Sequence, residues 1–118
     1  MKKYIWKQDA IEHAKQCDPD ESCGVIAIKN KKEKYYPCKN ISHEFKAESF
    51  VIDPIDWAEI EDSVDEIVGI VHSHPQEQDL LEFSQTDKYS CKAIDLPFYL
   101  VSPKSDKIAV IKPDEIDA

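Results

Sequence analysis

The stretch Glu66-Ile-Val-Gly-Ile-Val-His-Ser-His-Pro75 decides how this sequence folds, because it joins a near-continuous apolar run to two histidines. Apolar residues at successive positions are typical of a strand that is covered on both faces. Side chains alternate along a strand, so His72 and His74 point to one side and Ser73 points to the other. The stretch therefore predicts a central strand that ends with two imidazoles side by side.

Helices and further strands are predicted on both sides of this central strand. Apolar residues at helical spacing predict a first helix over about residues 6–17, and Asp53 followed by Pro54 predicts the start of a second. A third helix opens at Ser84 and runs to about Ala93. Other strands are predicted, the last two as a hairpin, over residues 23–28, 49–52, 97–101 and 107–111. This order predicts the α/β class, with a single mixed β-sheet flanked by helices.

The length and the net charge of the chain limit the classes of function that it can have. The chain has 118 residues, which is the usual size of one domain, so we expect a single domain over residues 1–118. The formal net charge is −9 and every basic residue is a lysine, which disfavours binding to nucleic acid. The longest apolar run is too short to span a membrane, and no secretory leader is visible. We therefore expect a cytoplasmic protein without a membrane span.

The cysteines do not form a recognisable metal or redox motif. There are four, without any C-x-x-C pair, and we expect them to be free thiols in a reducing compartment: Cys17, Cys23, Cys38 and Cys91. A cysteine hydrolase built on Cys23 with His13 or His43 is a separate hypothesis, which rests only on the presence of these residue types.

A metal site is predicted where the central strand ends. The imidazoles of His72 and His74 can both reach one Zn²⁺ at about 2.0–2.1 Å. Asp87 lies in the first turn of the third helix and can supply a third ligand, which leaves one tetrahedral position for water. Ser84 can place a hydroxyl near that water, although Ser84 and Asp87 can equally cap the helix. Glu21 precedes the strand at 23–28 and, taken alone, is typical of a solvated acidic turn.

These separated elements resemble the JAMM motif of the JAB/MPN metalloproteases. The motif is carried by Glu21 before Cys23-Gly24, by His72-Ser-His-Pro75 and by Ser84-Gln-Thr-Asp87. Four further segments resemble the JAB domain of phage tail assembly proteins in particular: Pro19-Asp-Glu-Ser-Cys-Gly24, Cys38-Lys-Asn40, Phe50-Val-Ile-Asp-Pro54 and Leu96-Pro-Phe-Tyr-Leu-Val-Ser102. The resemblance covers roughly residues 6–112.

The resemblance implies a cytidine-deaminase-like JAB/MPN fold and a zinc-dependent metallopeptidase or isopeptidase. It implies His72, His74 and Asp87 as zinc ligands. It also implies Glu21 as the general acid/base on the water that zinc activates, and Ser84 as the group that stabilises the oxyanion. A JAB fold used as a non-catalytic scaffold or assembly module is the alternative.

The same resemblance suggests a biological setting. The implied substrate is a peptide, a ubiquitin-like protein or a peptidoglycan stem peptide, and the implied partners are phage tail proteins. The implied process is phage tail assembly or cell-wall entry. The protein is then expected in the cytoplasm of a bacterium or a phage-infected host, or in the virion tail.

The connection between His74 and Ser84 departs from the family's usual pattern. Residues 75–83 make it about two residues longer, which a loop can absorb. Asp79 in this loop is an alternative third ligand, but we favour Asp87 because it follows a serine by three residues at a helix start. Phage relatives often carry a second, cysteine-peptidase domain, so we expect this chain to be either a stand-alone version or a fragment.

Overall fold

The computed structural model describes residues 4–77 and 81–116 of the protein, and three helices and five strands form its framework. In chain order, the elements are α1 (Lys7–Cys17), β1 (Cys23–Lys29), β2 (Lys32–Cys38), α2 (Pro54–Ser63), β3 (Glu66–Ser73), α3 (Gln85–Ile94), β4 (Phe98–Val101), β5 (Ala109–Ile111) and a 3₁₀ turn at Pro113–Glu115. The three predicted helices are confirmed. Among the described residues, no helix is both long enough and apolar enough to cross a membrane.

The five strands form one mixed sheet in the order β2-β1-β3-β4-β5. The central strand β3 pairs antiparallel with β1 and parallel with β4, and β5 runs antiparallel to β4 as the predicted hairpin. This arrangement confirms the predicted α/β class with a single mixed sheet.

Both faces of the sheet are covered, which explains the near-continuous apolar run of β3. Successive residues Ile70 and Val71 are fully buried on opposite faces. On one face Val71 packs with Trp6 and the buried side of α1. On the other, Ile70 packs in a cluster that includes Phe98 and Cys91 of α3, with α2 lying against its edge. The predicted two-sided burial of this strand is confirmed.

The prediction of a strand over residues 49–52 is wrong. Only an isolated bridge between Ile52 and Asn40 forms there. The side chain of Asn40 replaces a partner strand: its Oδ1 accepts from the backbone N–H of Val51 at 3.1 Å, and its Nδ2 donates to the carbonyl of Ser49 at 3.0 Å. Backbone groups that are satisfied by an amide side chain need no sheet ladder, so the segment stays irregular.

The four cysteines are free, and three of them are buried. Burial, together with the neighbouring Cys38 thiol, raises the pKa of Cys23 far above its usual value. The imidazole of His13 instead faces the hydroxyl of Tyr35, 2.6 Å from Nδ1, and the sulfur of Cys17, 3.5 Å from Nε2. The Cys23 thiol donates to the backbone carbonyls of Cys38 and Lys39, and burial keeps it protonated. A buried, protonated thiol is not an activated nucleophile, so the structure argues against a cysteine hydrolase on Cys23.

We expect Gly24→Ala to destabilise the protein, because a methyl group at this position has no room. A Cβ atom there would lie 2.6 Å from three atoms of the Tyr35 side chain, which is itself buried. Forcing an extra carbon into a packed core costs about 1–3 kcal/mol, which urea unfolding measures as a lower free energy of unfolding. Combining the change with Tyr35→Ala should cost less than the sum of the two single changes. An unchanged stability for Gly24→Ala would contradict this packing.

Candidate metal centre

The pairing of β1 with β3 brings Glu21 beside the two histidines. Cys23 lies opposite His72 in this antiparallel pair, and continuing the register by two residues places Glu21 opposite His74. Beyond the strand ends, the backbone N–H of Ser22 donates to Ser73 Oγ at 2.7 Å, and the N–H of Ser73 donates to the carbonyl of Ser22 at 3.1 Å. The side chain of Ser73 thus points away from the histidines, as the strand alternation predicts.

One group of potential metal ligands forms at this strand end. The ligand atoms of Glu21, His72 and His74 all lie within 4.8 Å of one another, and no second such group of three occurs in residues 4–77 and 81–116. These residues could hold a metal ion. The predicted ligand set differs from this group in having Asp87 where the group has Glu21.

Asp87 reaches the same place from the start of α3. Its Oδ2 accepts from the backbone N–H of Ser84 at 2.9 Å, and Ser84 Oγ accepts from the N–H of Asp87 at 3.0 Å, so the two residues form a reciprocal cap. The same Oδ2 lies 3.2 Å from Nε2 of His72 and 3.2 Å from Nε2 of His74. The cap therefore holds the carboxylate oxygen between the two imidazoles.

His72 is the most enclosed member of the site. It is 0% exposed and stacks on Phe50, with the ring centroids 4.6 Å apart and the planes at 20°. Neither ring nitrogen makes a well-aligned hydrogen bond with any described residue, although Nε2 lies close to Asp87. Burying an imidazole nitrogen without a partner is costly, and a metal ion would satisfy Nε2. Two imidazoles with a carboxylate are a donor set that suits zinc.

The charges in the site shift the pKa values of its members in different directions. Burial opposes a charged Asp87, but its contacts with His72 and His74 outweigh this and hold its pKa well below the usual range. Burial lowers the pKa of His72. Burial also works against a charged His74, yet the bond to Asp87 and the charge of Glu21 raise its pKa to about 9.

Glu21 has the pKa of a group that can exchange protons near neutral pH. Burial is the main cause that raises its pKa to about 8, and the charge of Asp87 adds to it while that of His74 works against it. The carboxyl group lies at a cleft of about 260 Å³, which is lined by Glu21, Ala47, Glu48, His74, Pro75, Gln76, Glu77 and Ser84. Glu21 and Ser84 thus border the cleft, and a substrate there can reach both.

The five predicted site residues lie in one place, but two of their supporting contacts were missed. Asn40 Nδ2 donates to the carbonyl of Glu21 at 3.1 Å, a link across 19 residues that no local pattern indicates. Glu77 Oε2 lies 2.8 Å from Nδ1 of His74. The spacing of three residues between His74 and Glu77 is the only sequence signal that could have indicated this contact. The alternative ligand Asp79 lies outside the described residues.

Comparisons with known proteins agree with the fold. Residues 5–112 match the family of prokaryotic homologs of the JAB domain. Among curated proteins, the chain is 42% identical to the tail tip assembly protein K of Escherichia phage N15, over 106 residues that cover 89% of this chain. The chain spans 42% of the length of that relative.

Solved structures share the fold. A protein from Desulfitobacterium hafniense has a TM-score of 0.66 and 25% identity, over 95% of this chain and 84% of that one. A JAB1/MPN domain protein from Archaeoglobus fulgidus has a TM-score of 0.61 and 15% identity, over 93% and 86% of the two chains. The fold and the family match therefore define a JAB/MPN-type domain. Within that class, the chain belongs to the prokaryotic homologs of the JAB domain, close to phage tail proteins.

The metal-free protein should lose stability as the pH rises from about 6.5 to about 9, because the lowered pKa of His72 opposes the loss only below 6.5. The pKa of Glu21 is about 8 in the folded protein against an ordinary 4.5, and that of His74 is about 9 against 6.5. Both are raised, so their contribution to stability is complete below the unfolded values and is lost as the pH passes through the folded ones. Urea unfolding of chelator-treated protein across this range measures the effect.

Two variants separate the source of this pH dependence. Glu21→Gln should flatten the part of the curve between pH 6.5 and pH 8, because it removes the titrating carboxyl group. Glu59→Gln removes the same charge from an exposed position on α2 and serves as the control. A wild-type curve that is flat or rises over this range would contradict the assigned shifts.

Proposed function

We propose that this chain is a zinc-dependent peptidase or isopeptidase that hydrolyses an amide bond. The observation that carries the proposal is the convergence of Nε2 of His72 and Nε2 of His74 on one oxygen of Asp87, each at 3.2 Å. A catalytic zinc site has three protein ligands and keeps one coordination position open. Two imidazoles and one carboxylate beside a cleft match this arrangement. The proposed ligands are therefore His72, His74 and Asp87.

Zinc held by these side chains would supply a Lewis acid that polarises a carbonyl and brings the pKa of water to about 7. Glu21 borders the cleft, so its carboxylate can take a proton from water there and return it to the leaving amine. Ser84 Oγ accepts from the backbone N–H of Asp87, and its own hydroxyl proton can then be donated to a developing oxyanion. These are the roles that we assign to Glu21 and Ser84.

The proposed setting is phage tail assembly or entry through the cell wall. It is supported by the 42% identity to a tail tip assembly protein, of which this chain spans 42% of the length. The proposed substrates are a peptide, a ubiquitin-like protein or a peptidoglycan stem peptide, with phage tail proteins as partners. The proposed locations are the host cytoplasm and the virion tail.

A second candidate function is a non-catalytic scaffold in tail assembly. The observation that favours it is the reciprocal cap between Ser84 and Asp87, which gives both residues a structural role without any metal. Under this alternative, His72→Ala would leave assembly unchanged. Under the zinc hypothesis, the same change removes a ligand and abolishes hydrolysis.

The decisive variant is Glu21→Gln, examined in protein purified without chelators or a histidine tag. We expect about one zinc per chain by elemental analysis in both the wild type and the variant. Hydrolysis of peptide and isopeptide substrates should fall by roughly 10²–10⁴-fold in the variant, because the proton carrier is lost. Glu48→Gln removes a carboxylate from the same cleft and should retain most of the activity.

Each contrary result has a distinct meaning. Full activity in Glu21→Gln would contradict the mechanism. Loss of zinc from that variant would make Glu21 a ligand, as its place in the group with His72 and His74 allows. No zinc in the wild type, even after reconstitution, would favour the scaffold.

A further inference from the structure

His74 is held between two carboxylates, one on each ring nitrogen. Its Nε2 lies 3.2 Å from Asp87 Oδ2, and its Nδ1 lies 2.8 Å from Glu77 Oε2. A carboxylate accepts hydrogen bonds, so the contact with Glu77 requires the proton to sit on Nδ1. In neutral imidazole this leaves the lone pair on Nε2, the nitrogen that faces Asp87.

Glu77 is itself fixed by its surroundings. Its second carboxylate oxygen accepts from the backbone N–H of Glu82 at 3.0 Å. Its own N–H donates to the carbonyl of His74 at 3.1 Å, and its carbonyl accepts from the hydroxyl of Ser102, just after β4. Glu77 is therefore hydrogen-bonded to His74 after β3, to Ser102 after β4 and to Glu82. A residue so anchored can hold an imidazole in one orientation.

His72 shows that the two histidines are oriented by different means. Its ring is enclosed and stacks on Phe50, and its Nδ1 has no hydrogen-bond partner among the described residues. Packing holds this ring on its Nδ1 side, and Asp87 Oδ2 lies 3.2 Å from its Nε2. His74 is partly exposed at the cleft and lacks such an enclosure, so its orientation depends on the hydrogen bond to Glu77.

We propose that Glu77 is a positioning residue for the metal centre, which fixes the tautomer and the orientation of His74 so that Nε2 is presented as a ligand. The inference rests on the proposed function, because it assigns Glu77 a role toward the metal held by His72, His74 and Asp87. Removing the hydrogen-bond acceptor of a ligating histidine typically weakens metal binding by about 10–100-fold.

The test is the zinc affinity of the full chain, measured by competition with a chromophoric chelator. Glu77→Ala should weaken zinc binding by about 10–100-fold. Glu77→Gln retains a carbonyl oxygen that can accept from Nδ1, so it should recover most of that loss. Glu82→Ala removes the same charge from an exposed side chain of the same loop and should stay within about twofold of the wild type.

A second readout reports the hydrogen bond directly. In the zinc-loaded protein, long-range ¹H–¹⁵N NMR should show a protonated Nδ1 on His74, assigned by its absence in His74→Gln. The Nδ1–H signal should persist in Glu77→Gln and should exchange rapidly with water in Glu77→Ala. A purely structural role of Glu77 would lower stability without this change at one ring nitrogen.

The outcomes separate this inference from the proposed function. Wild-type affinity in Glu77→Ala, with zinc bound by the wild type, overturns the inference and leaves the proposed function intact. Equal weakening in Glu77→Ala and Glu82→Ala also overturns it, because loop charge would then be the cause. Failure of the wild type to bind zinc overturns the proposed function and the positioning role with it.

Discussion

The register of β1 against β3 is the constraint on which the site depends. Because side chains alternate along a strand, the pairing of Cys23 with His72 fixes which residues face α2 and α3 and which face α1. A slip of one residue would exchange the two faces, burying Glu21 against the apolar residues of α1. The buried faces of β3 specify this register strongly, since Ile70 and Val71 must each meet their own core. The packing of the sheet thus sets the geometry of the site.

The first turn of α3 is a position where the fold stabilises a negative charge. Asp87 lies in the first turn, where the helix dipole and free N–H groups stabilise an anion. The hydrogen bond from Ser84 fixes one of its oxygens before any metal is bound. The entropy cost of ordering the Asp87 side chain is therefore incurred largely on folding. The same contacts also stabilise the helix, so the roles of Asp87 in structure and in the site reinforce each other.

Much of this arrangement could be predicted from the sequence, because its signals are local. The apolar run before His72, the cap at Asp53 and Pro54 and the spacing of Ser84 and Asp87 each specify an element through its own residues. The segment at 49–52 could not be predicted, because its backbone is satisfied by an amide from a distant position. The contact of Glu77 with His74 is a side-chain contact, and the choice of this partner depends on how the loop folds back. Local patterns place elements, whereas contacts between distant residues decide their details.

The contacts of Asn40 determine which parts of the cleft wall can vary in sequence. Its single amide joins the carbonyl of Glu21 to the backbone on both sides of the loop that follows β2, at Ser42, Ser49 and Val51. The same loop exposes the side chain of Phe45, with 69% of its surface in solvent, while the carbonyl of Lys46 accepts from the backbone N–H of Glu21 at 2.7 Å. These links to Glu21 are made by backbone groups and by Asn40, so a change of the Phe45 side chain leaves them in place. The exposed side chains of this loop can therefore vary in sequence without disturbing the backbone that holds Glu21 beside the histidines.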